Sequence, residues 1–166
     1  MESFPEHIEE YKRQLEKGAI QKAYQGLMEY VMGLRTYFKN QYSDYGISGN
    51  VYCGYMDMTY FSIYPKALKD RKLKIAIVFL HEAFRFEVWL SGQNKQVLKE
   101  YWKLIEESGW EKYRIVSPGK GIDSIVESVL VDDPDFRDIE ALTKQIESGT
   151  LRFIQDIESF LAEHSD

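Results

Sequence analysis

The sequence is poor in the residues that build disulfides and metal sites. One cysteine, Cys53, is present among 166 residues, which excludes an internal disulfide and any metal site built from cysteines alone. Cys53 lies in a strand-like run, which favours a buried and unreactive thiol. The three histidines, His7, His81 and His164, are far apart in the chain and form no zinc-binding motif. We therefore expect no metal site.

Short motifs of nucleotide binding and of nucleophilic catalysis are absent as well. The chain contains neither Gly-x-Ser-x-Gly nor Gly-x-Gly-x-x-Gly. The loop Ser117-Pro118-Gly119-Lys120-Gly121 lacks the first glycine and the hydroxyl residue of a phosphate-binding loop, so a plain turn is the favoured interpretation. We expect no cofactor.

Positive charge is in deficit, since 21 Lys and Arg stand against 27 Asp and Glu, giving a formal net charge of −6. Proteins that bind nucleic acid nonspecifically do so mainly by neutralising phosphates with Lys and Arg, so no nucleic-acid partner is expected. The longest apolar run, Ile75 to Leu80, is far too short to span a bilayer. The N-terminus has no basic and apolar segment of a secretory signal. These features predict a cytoplasmic protein without a membrane partner.

Aromatic residues, in contrast, are plentiful at 14% of the chain, and 12 of them are tyrosines. A tyrosine ring prefers an apolar site while its hydroxyl needs a polar partner, so tyrosines are often half-buried. The excess is compatible with a large core, a pocket or a contact surface. The length of 166 residues predicts one domain over residues 1–166.

The centre of the chain has the clearest periodicity. Alternate residues are apolar over 72–80 and again over 83–91, which predicts two half-buried strands joined by a turn at 81–83. From Asn94 the apolar spacing changes to that of one helix face, which predicts a helix over 94–108. A sheet with a helix packed on it follows.

The remaining segments complete an α+β architecture. Apolar spacing and turn residues predict the following elements: helices over 6–17, 19–41, 122–130 and 134–162, one bent strand or two short strands over 51–64, and a strand over 113–116. Asp132-Asp133-Pro134 is expected to cap the last helix, and the tail from Glu163 is expected to fray. The predicted fold is an antiparallel sheet of four to five strands covered by long N- and C-terminal helices.

Two groups of polar residues are candidate site residues. Arg85, Glu87 and Trp89 alternate on one face of a predicted strand, where a carboxylate and a guanidinium could bind a polar ligand or a metal. The alternative is that this face is simply solvated. Asp57 is a charge within an otherwise aromatic and apolar run, so it is either a buried acid with a raised pKa or a residue of a hairpin turn.

Three stretches of the sequence carry a resemblance to a known family. They are Gly54 to Phe61, Lys72 to Lys95 and Ile115 to Phe136. They resemble a small bacterial family of single-domain proteins with no assigned activity, over about residues 30–160. The resemblance implies a bacterial, cytosolic, one-domain protein and transfers no catalytic residue.

Three functions are compatible with these features. The first is a module that binds a small ligand or a partner peptide in a Tyr/Trp-rich pocket between sheet and helices, lined by some of Tyr52, Tyr55, Tyr60, Trp89 and Trp102. The second is an enzyme in which Asp57 and Glu87, with Arg85, perform acid–base chemistry on a polar substrate. The third is a structural protein that self-associates through its long helices into a homo-oligomer. The candidate ligand-binding residues are Tyr55, Asp57, Tyr60, Arg85, Glu87 and Trp89.

Overall fold

A computed structural model, which describes residues 1–164, shows an α+β fold with an open antiparallel sheet of six strands. The predicted class is confirmed, with one to two strands more than expected. The helices are α1 (Phe4–Lys17), α2 (Ala19–Gln41), α3 (Lys66–Lys69), α4 (Lys95–Ser108) and α5 (Ile139–His164). The strands are β1 (Gly46–Ile47), β2 (Met58–Tyr64), β3 (Leu73–Leu80), β4 (Arg85–Gly92), β5 (Arg114–Ile115) and β6 (Val126–Asp132). Their order in the sheet is β1-β2-β3-β4-β6-β5.

The hairpin of β3 and β4 is the centre of the sheet, and its alternation agrees with the sequence. Ile77 pairs with Val88 and Phe79 pairs with Phe86, and all four side chains are buried. Alternate residues of a strand point to opposite faces, so these side chains belong to one apolar face. The connecting turn extends to Phe84, which has a φ of 53° and lies before the first paired residue.

The two long helices cover this apolar face. Phe38 of α2 packs on Phe61 of β2, with ring centroids 6.2 Å apart. The hydroxyl groups of Tyr37 and Tyr42 both donate hydrogen bonds to the carboxylate of Glu147 in α5, at 3.0 and 2.5 Å. The helices are therefore joined to each other by polar contacts and to the sheet by apolar ones, in one continuous hydrophobic core.

The predicted helix over 122–130 is wrong, because residues from Val126 onwards belong to the strand β6. Phe86 pairs with Val131 and Glu87 pairs with Val129, so Leu130 is an extra residue without a partner across the ladder. Such a bulge shifts the alternation of side chains by one position. The bulge explains why the neighbours Leu130 and Val131 are both buried. The spacing of Val126 and Leu130 did not identify the element, because residues four apart share one face of a strand as well as of a helix.

The start of the last helix was also predicted too early. Asp132 ends β6, and Asp138 rather than Asp132 or Asp133 caps α5, since its Oδ1 accepts a hydrogen bond from the backbone N–H of Ala141 at 3.1 Å. The helix continues through Glu163 to His164, where a frayed tail was expected. Ser165 and Asp166 lie outside the described residues.

The segment 51–64 comes nearer to the second of the two predicted forms, although it holds one strand, β2, preceded by an isolated bridge instead of a second strand. Tyr52 forms an isolated bridge with Tyr60, and the chain turns between them at Gly54 and Asp57. Gly54 has a φ of 71°, and a Cβ there would lie 2.3 Å from the carbonyl oxygen of Met58, so the tight turn requires glycine. The short strand β1 and the short helix α3 were not predicted.

Candidate functional site

A cavity of about 320 Å³ lies against the face of the sheet opposite to the long helices. Its walls come from three adjacent strands, the start of α4 and the loop before β6. The lining residues are Met58, Tyr60, Lys74, Ala76, Val78, Trp89, Ser91, Gly92, Gln93, Asn94, Lys95, Leu98, Ile122 and Asp123. We call this space the sheet cavity.

Two aromatic side chains stand on opposite sides of the sheet cavity. Tyr60 is on β2 and Trp89 is on β4, and β3 runs between them. The residue of β3 that pairs with Trp89 is Ala76, whose methyl group leaves space between the two larger side chains. The ring of Tyr52 packs on Tyr60 from outside the cavity, with centroids 5.0 Å apart. The sheet cavity therefore exists because a small residue, Ala76, lies between two aromatic residues on the surface of the sheet.

The charged side chains of the sheet cavity form no ion pair within residues 1–164. Among the described residues, neither Lys74 nor Lys95 has an acidic side chain within ion-pair distance, and the carboxylate of Asp123 has no basic partner. Burial raises the pKa of Tyr60, and the nearby negative charge of Asp123 raises it further. Tyr60 is therefore a neutral hydrogen-bonding group beside one anion and two cations.

Backbone contacts hold the loop that closes one end of the cavity. The hydroxyl of Ser91 donates a hydrogen bond to the carbonyl of Asp123, and the N–H of Ile125 donates one to the carbonyl of Leu90 at 2.7 Å. At the start of α4, the Oδ1 of Asn94 accepts a hydrogen bond from the N–H of Val97 at 2.9 Å. The cavity end is thus built on fixed elements.

Glu87 and Arg85 lie beside the sheet cavity and support Trp89. The carboxylate of Glu87, which is only 2% exposed, accepts hydrogen bonds from the Nε of Arg85 at 2.6 Å and from the Nε1 of Trp89 at 2.8 Å. A buried carboxylate is tolerated because it is paired and hydrogen-bonded in this way. Arg85 and Glu87 line a separate recess of about 280 Å³ with Lys112 and Arg114.

Asp57 and Tyr55 lie in the turn that precedes β2, and neither lines the sheet cavity. The Oδ1 of Asp57 accepts a hydrogen bond from the backbone N–H of Tyr55 at 2.9 Å. Backbone hydrogen bonds from Tyr55 and Met58 lower the pKa of Asp57, which agrees with the turn interpretation rather than with a buried acid. The side chain of Tyr55 is 93% exposed.

Of the six candidate residues, then, the structure brings Tyr60 and Trp89 to one cavity and Arg85 and Glu87 to its margin. Trp102 does not line the cavity but a shallow recess with Lys99, and its Nε1 is buried without a hydrogen-bond partner.

Sequence reasoning missed Lys74, Ser91, Lys95 and Asp123. Lys74 could have been found, because it is the one charged residue of β3 and must lie on the same face as Trp89 by alternation. Asp123 could not, because the helix predicted over 122–130 placed it on a helix surface instead of in a loop above the sheet.

The architecture is that of an α+β protein with one helix-covered sheet face and a cavity on the other. The chain belongs to the family described as "Domain of unknown function (DUF7000)", whose model matches residues 4–161. The resemblance to a family with no assigned activity is thereby confirmed, while a bacterial origin stays a prediction. No curated protein and no solved structure matches the chain at a significant level.

Two further findings on residues 1–164 concern membrane-spanning helices and metal-binding clusters. No helix among them has both the length and the apolar character needed to cross a membrane. No three His, Cys, Asp or Glu side chains of this part of the chain form a metal-binding cluster. The cytoplasmic location stays a prediction from the sequence.

Proposed function

We propose that the protein is a binding module that takes a small, planar, anionic molecule into the sheet cavity. The observation that carries the proposal is the combination of two aromatic walls, Tyr60 and Trp89, with two ammonium groups, those of Lys74 and Lys95, that have no acidic partner in the described residues. Ligand sites are typically apolar recesses with a few convergent polar groups.

Each part of the proposed ligand corresponds to a part of the cavity. A planar ring fits between Tyr60 and Trp89, above the methyl groups of Ala76 and Val78, where it gains apolar and aromatic contacts. A carboxylate or phosphate would be attracted to Lys74 and Lys95. The volume of about 320 Å³ is at the small end of ligand pockets, which favours a molecule of one or two rings.

The acid–base enzyme is less well supported by the geometry. Each oxygen of Glu87 already accepts a hydrogen bond, one from Arg85 and one from Trp89, and the side chain is buried, so pairing and burial both disfavour transfer of a substrate proton to this carboxylate. Asp57 is held in its charged form by backbone N–H groups of the turn and does not line the recess that contains Glu87. Binding without chemistry therefore accounts for more of the site.

Two probes with the same ring and opposite charge test the proposal. Indole-3-acetate is anionic and tryptamine is cationic, and both are titrated into the protein while amide and indole N–H signals are followed by NMR. At about −0.3 kcal/mol per heavy atom, indole-3-acetate is expected to bind with a Kd on the order of 1 mM. Tryptamine is expected to bind at least several-fold more weakly.

Variants with single lysines replaced test whether indole-3-acetate binds in the sheet cavity. Lys74→Gln and Lys95→Gln are each expected to weaken indole-3-acetate binding, because each removes one cation from the cavity. Lys99→Gln is the matched control, since Lys99 is also exposed on α4 but lies outside the sheet cavity. Equal binding of both probes, or equal weakening by all three variants, would contradict the proposed ligand chemistry.

A further inference from the structure

Helix α1 has an apolar stripe that the rest of residues 1–164 leaves largely exposed. None of its 14 residues is buried, and Phe4, Ile8 and Tyr11, on one side of the helix, are 75%, 43% and 58% exposed. An isolated helix of about this length is marginal in water, and helices in proteins owe most of their stability to packing of an apolar face. The stripe therefore requires a partner surface.

The body of the protein has an apolar groove that is equally uncovered. It has a volume of about 530 Å³ and runs along residues 20–30 of α2. The lining residues are Ile20, Lys22, Ala23, Tyr24, Gly26, Leu27, Tyr30, Met56, His81, Phe84, Phe136 and Ile139. We call this surface the α2 groove. Four of its apolar side chains, those of Ile20, Met56, Phe84 and Ile139, are between 41% and 50% exposed.

Backbone strain at the rim of the α2 groove indicates a function for its exposed side chains. Met56 and Phe84 have positive φ angles, 64° and 53°, which large side chains rarely adopt. Strained residues of this kind concentrate at functional sites and binding surfaces. Here the strain places two apolar side chains on the rim of a groove, where they are half exposed.

The helix α1 cannot fill the groove of its own chain. Gly18 is the single residue between α1 and α2, and it serves as the C-cap of the first and the N-cap of the second. Two antiparallel neighbouring helices need a connection of about two to five residues. A helix joined by one residue cannot reverse and lie along the first turns of α2, so the occupant has to come from another molecule.

We propose that the protein forms a symmetric dimer in which α1 of each copy lies in the α2 groove of the other. The lengths agree. Leu15 continues the stripe on the same side of α1, so the stripe is about 16 Å long, and residues 20–30 of α2 span about 15 Å. Reciprocal exchange of one element between two copies closes a twofold assembly without leaving either surface free.

The area available is what a stable dimer needs. Seven exposed apolar side chains belong to the stripe and the groove rim: Phe4, Ile8, Tyr11, Ile20, Met56, Phe84 and Ile139. At roughly 200 Å² for a fully exposed side chain of this size, their exposed parts total on the order of 700 Å² per chain. A standard interface takes about 800 Å² from each partner. The dimer does not depend on the ligand proposed for the sheet cavity.

Sedimentation of the full chain and of two matched double variants tests the dimer. The wild type is expected to sediment at twice the 19.5 kDa mass of one chain. Ile8→Gln with Tyr11→Gln removes the stripe and is expected to raise the dimer dissociation constant at least tenfold. Glu9→Gln with Lys12→Gln changes the polar side of α1, with the same net charge, and should leave the dimer unchanged. Glutamine is a good helix former, so both variants keep the helix, as circular dichroism will verify.

Mixed disulfides distinguish the α2 groove from other partners of α1. In a Cys53→Ser background, a chain with Ile8→Cys is mixed with a chain with Phe84→Cys under mild oxidation. A cross-link between these two chains, with none between Glu9→Cys and Phe84→Cys, supports the exchange. A monomer at all concentrations, a dimer insensitive to the stripe variant, or cross-linking of Ile8→Cys only to itself would overturn it.

Discussion

The indole nitrogen of Trp89 donates a hydrogen bond to the carboxylate of Glu87 across 2.8 Å, and the two residues are two positions apart on β4. Side chains at positions i and i+2 of a strand lie on the same face, and Arg85 occupies position i−2. The three side chains therefore form a row with the anion at its centre. This row buries a charge, and it fixes the orientation of the aromatic wall of the sheet cavity.

Replacing Glu87 by Gln should destabilise the fold. The change removes the ion pair with Arg85 while retaining an oxygen that can accept from Trp89. Because hydrogen bonds to charged groups contribute about 1.5–3 kcal/mol and Arg85 can partly regain water, we expect a loss of about 1–3 kcal/mol in the free energy of unfolding. Urea denaturation measures it, with the exposed Glu82→Gln as control. Equal midpoints for the two variants would show that the row contributes nothing.

Replacing Trp89 by phenylalanine and replacing Trp102 by phenylalanine should change the stability of the protein for different reasons. Trp89→Phe deprives Glu87 of a donor, which costs about 1–3 kcal/mol for a buried unsatisfied group. Trp102→Phe removes an Nε1 that has no partner in the structure, so the polar loss is absent and only apolar area is lost. Comparing the urea midpoints of the two variants checks this, and a larger loss for Trp102→Phe would contradict the hydrogen-bond assignment.

Replacing glycine by alanine should stabilise the protein at Gly33 and destabilise it at Gly92. Gly33 lies within α2, where an added Cβ would have no atom within 4 Å, so Gly33→Ala should stabilise the protein by about 0.5–1 kcal/mol through helix propensity. At Gly92 a Cβ would lie 2.8 Å from the backbone nitrogen of Leu98, so Gly92→Ala must displace the start of α4. Thermal unfolding of both variants provides the comparison, and stabilisation by Gly92→Ala would show that the α4 junction is loose.

Stability should decrease in mild acid because of His81. Its ring is partly buried, and burial lowers the pKa, although the charge of Asp57 opposes the shift. The hydroxyl of Thr59 donates to the carbonyl of Cys53, so Nε2 of the neutral ring donates to Thr59 at 2.9 Å. Because the folded state binds the proton less readily than the unfolded state, its contribution is complete above the unfolded pKa of about 6.5 and falls as pH decreases toward the folded pKa.

The variant His81→Gln isolates this contribution, since its amide can still donate to Thr59 but does not titrate. Between about pH 7.5 and about pH 5.5, on either side of the unfolded histidine pKa, the wild type should lose more unfolding free energy than His81→Gln. The control His7→Gln, at an exposed position in α1, should behave as the wild type. If His81→Gln has the same pH dependence as the wild type, His81 is not the group responsible.

The sequence predicted those parts of the fold whose side-chain period is regular. Helix α2 has the predicted bounds of 19–41, and the hairpin of β3 and β4 was found because every second residue is apolar. The prediction failed at β6, because the polar Ser128 shares the strand face of the buried Val126 while the apolar Val129 is exposed on the other face, so apolar and polar residues do not alternate there. It also failed at the start of α5, where several Asp residues were available as caps and only tertiary structure selects Asp138.

The candidate site was predicted only where it depends on the regular alternation of side chains along a strand. Alternation along β4 correctly placed Arg85, Glu87 and Trp89 on one face, and the aromatic excess drew attention to Tyr60. Which carboxylate approaches the aromatic residues depends on contacts between distant segments, such as the hydrogen bond from Ser91 to the carbonyl of Asp123. No local pattern in the chain specifies such a contact.

The NMR signal of the Trp89 indole N–H during titration with indole-3-acetate tests directly whether a ligand binds in the sheet cavity. Trp89 lines the sheet cavity, whereas Trp102 and Trp110 do not, so the chain contains its own two reference signals. We predict a saturable shift of the Trp89 signal and no comparable shift of the other two. A Trp89 signal that does not move, or three signals that move together, would contradict a ligand site between Tyr60 and Trp89.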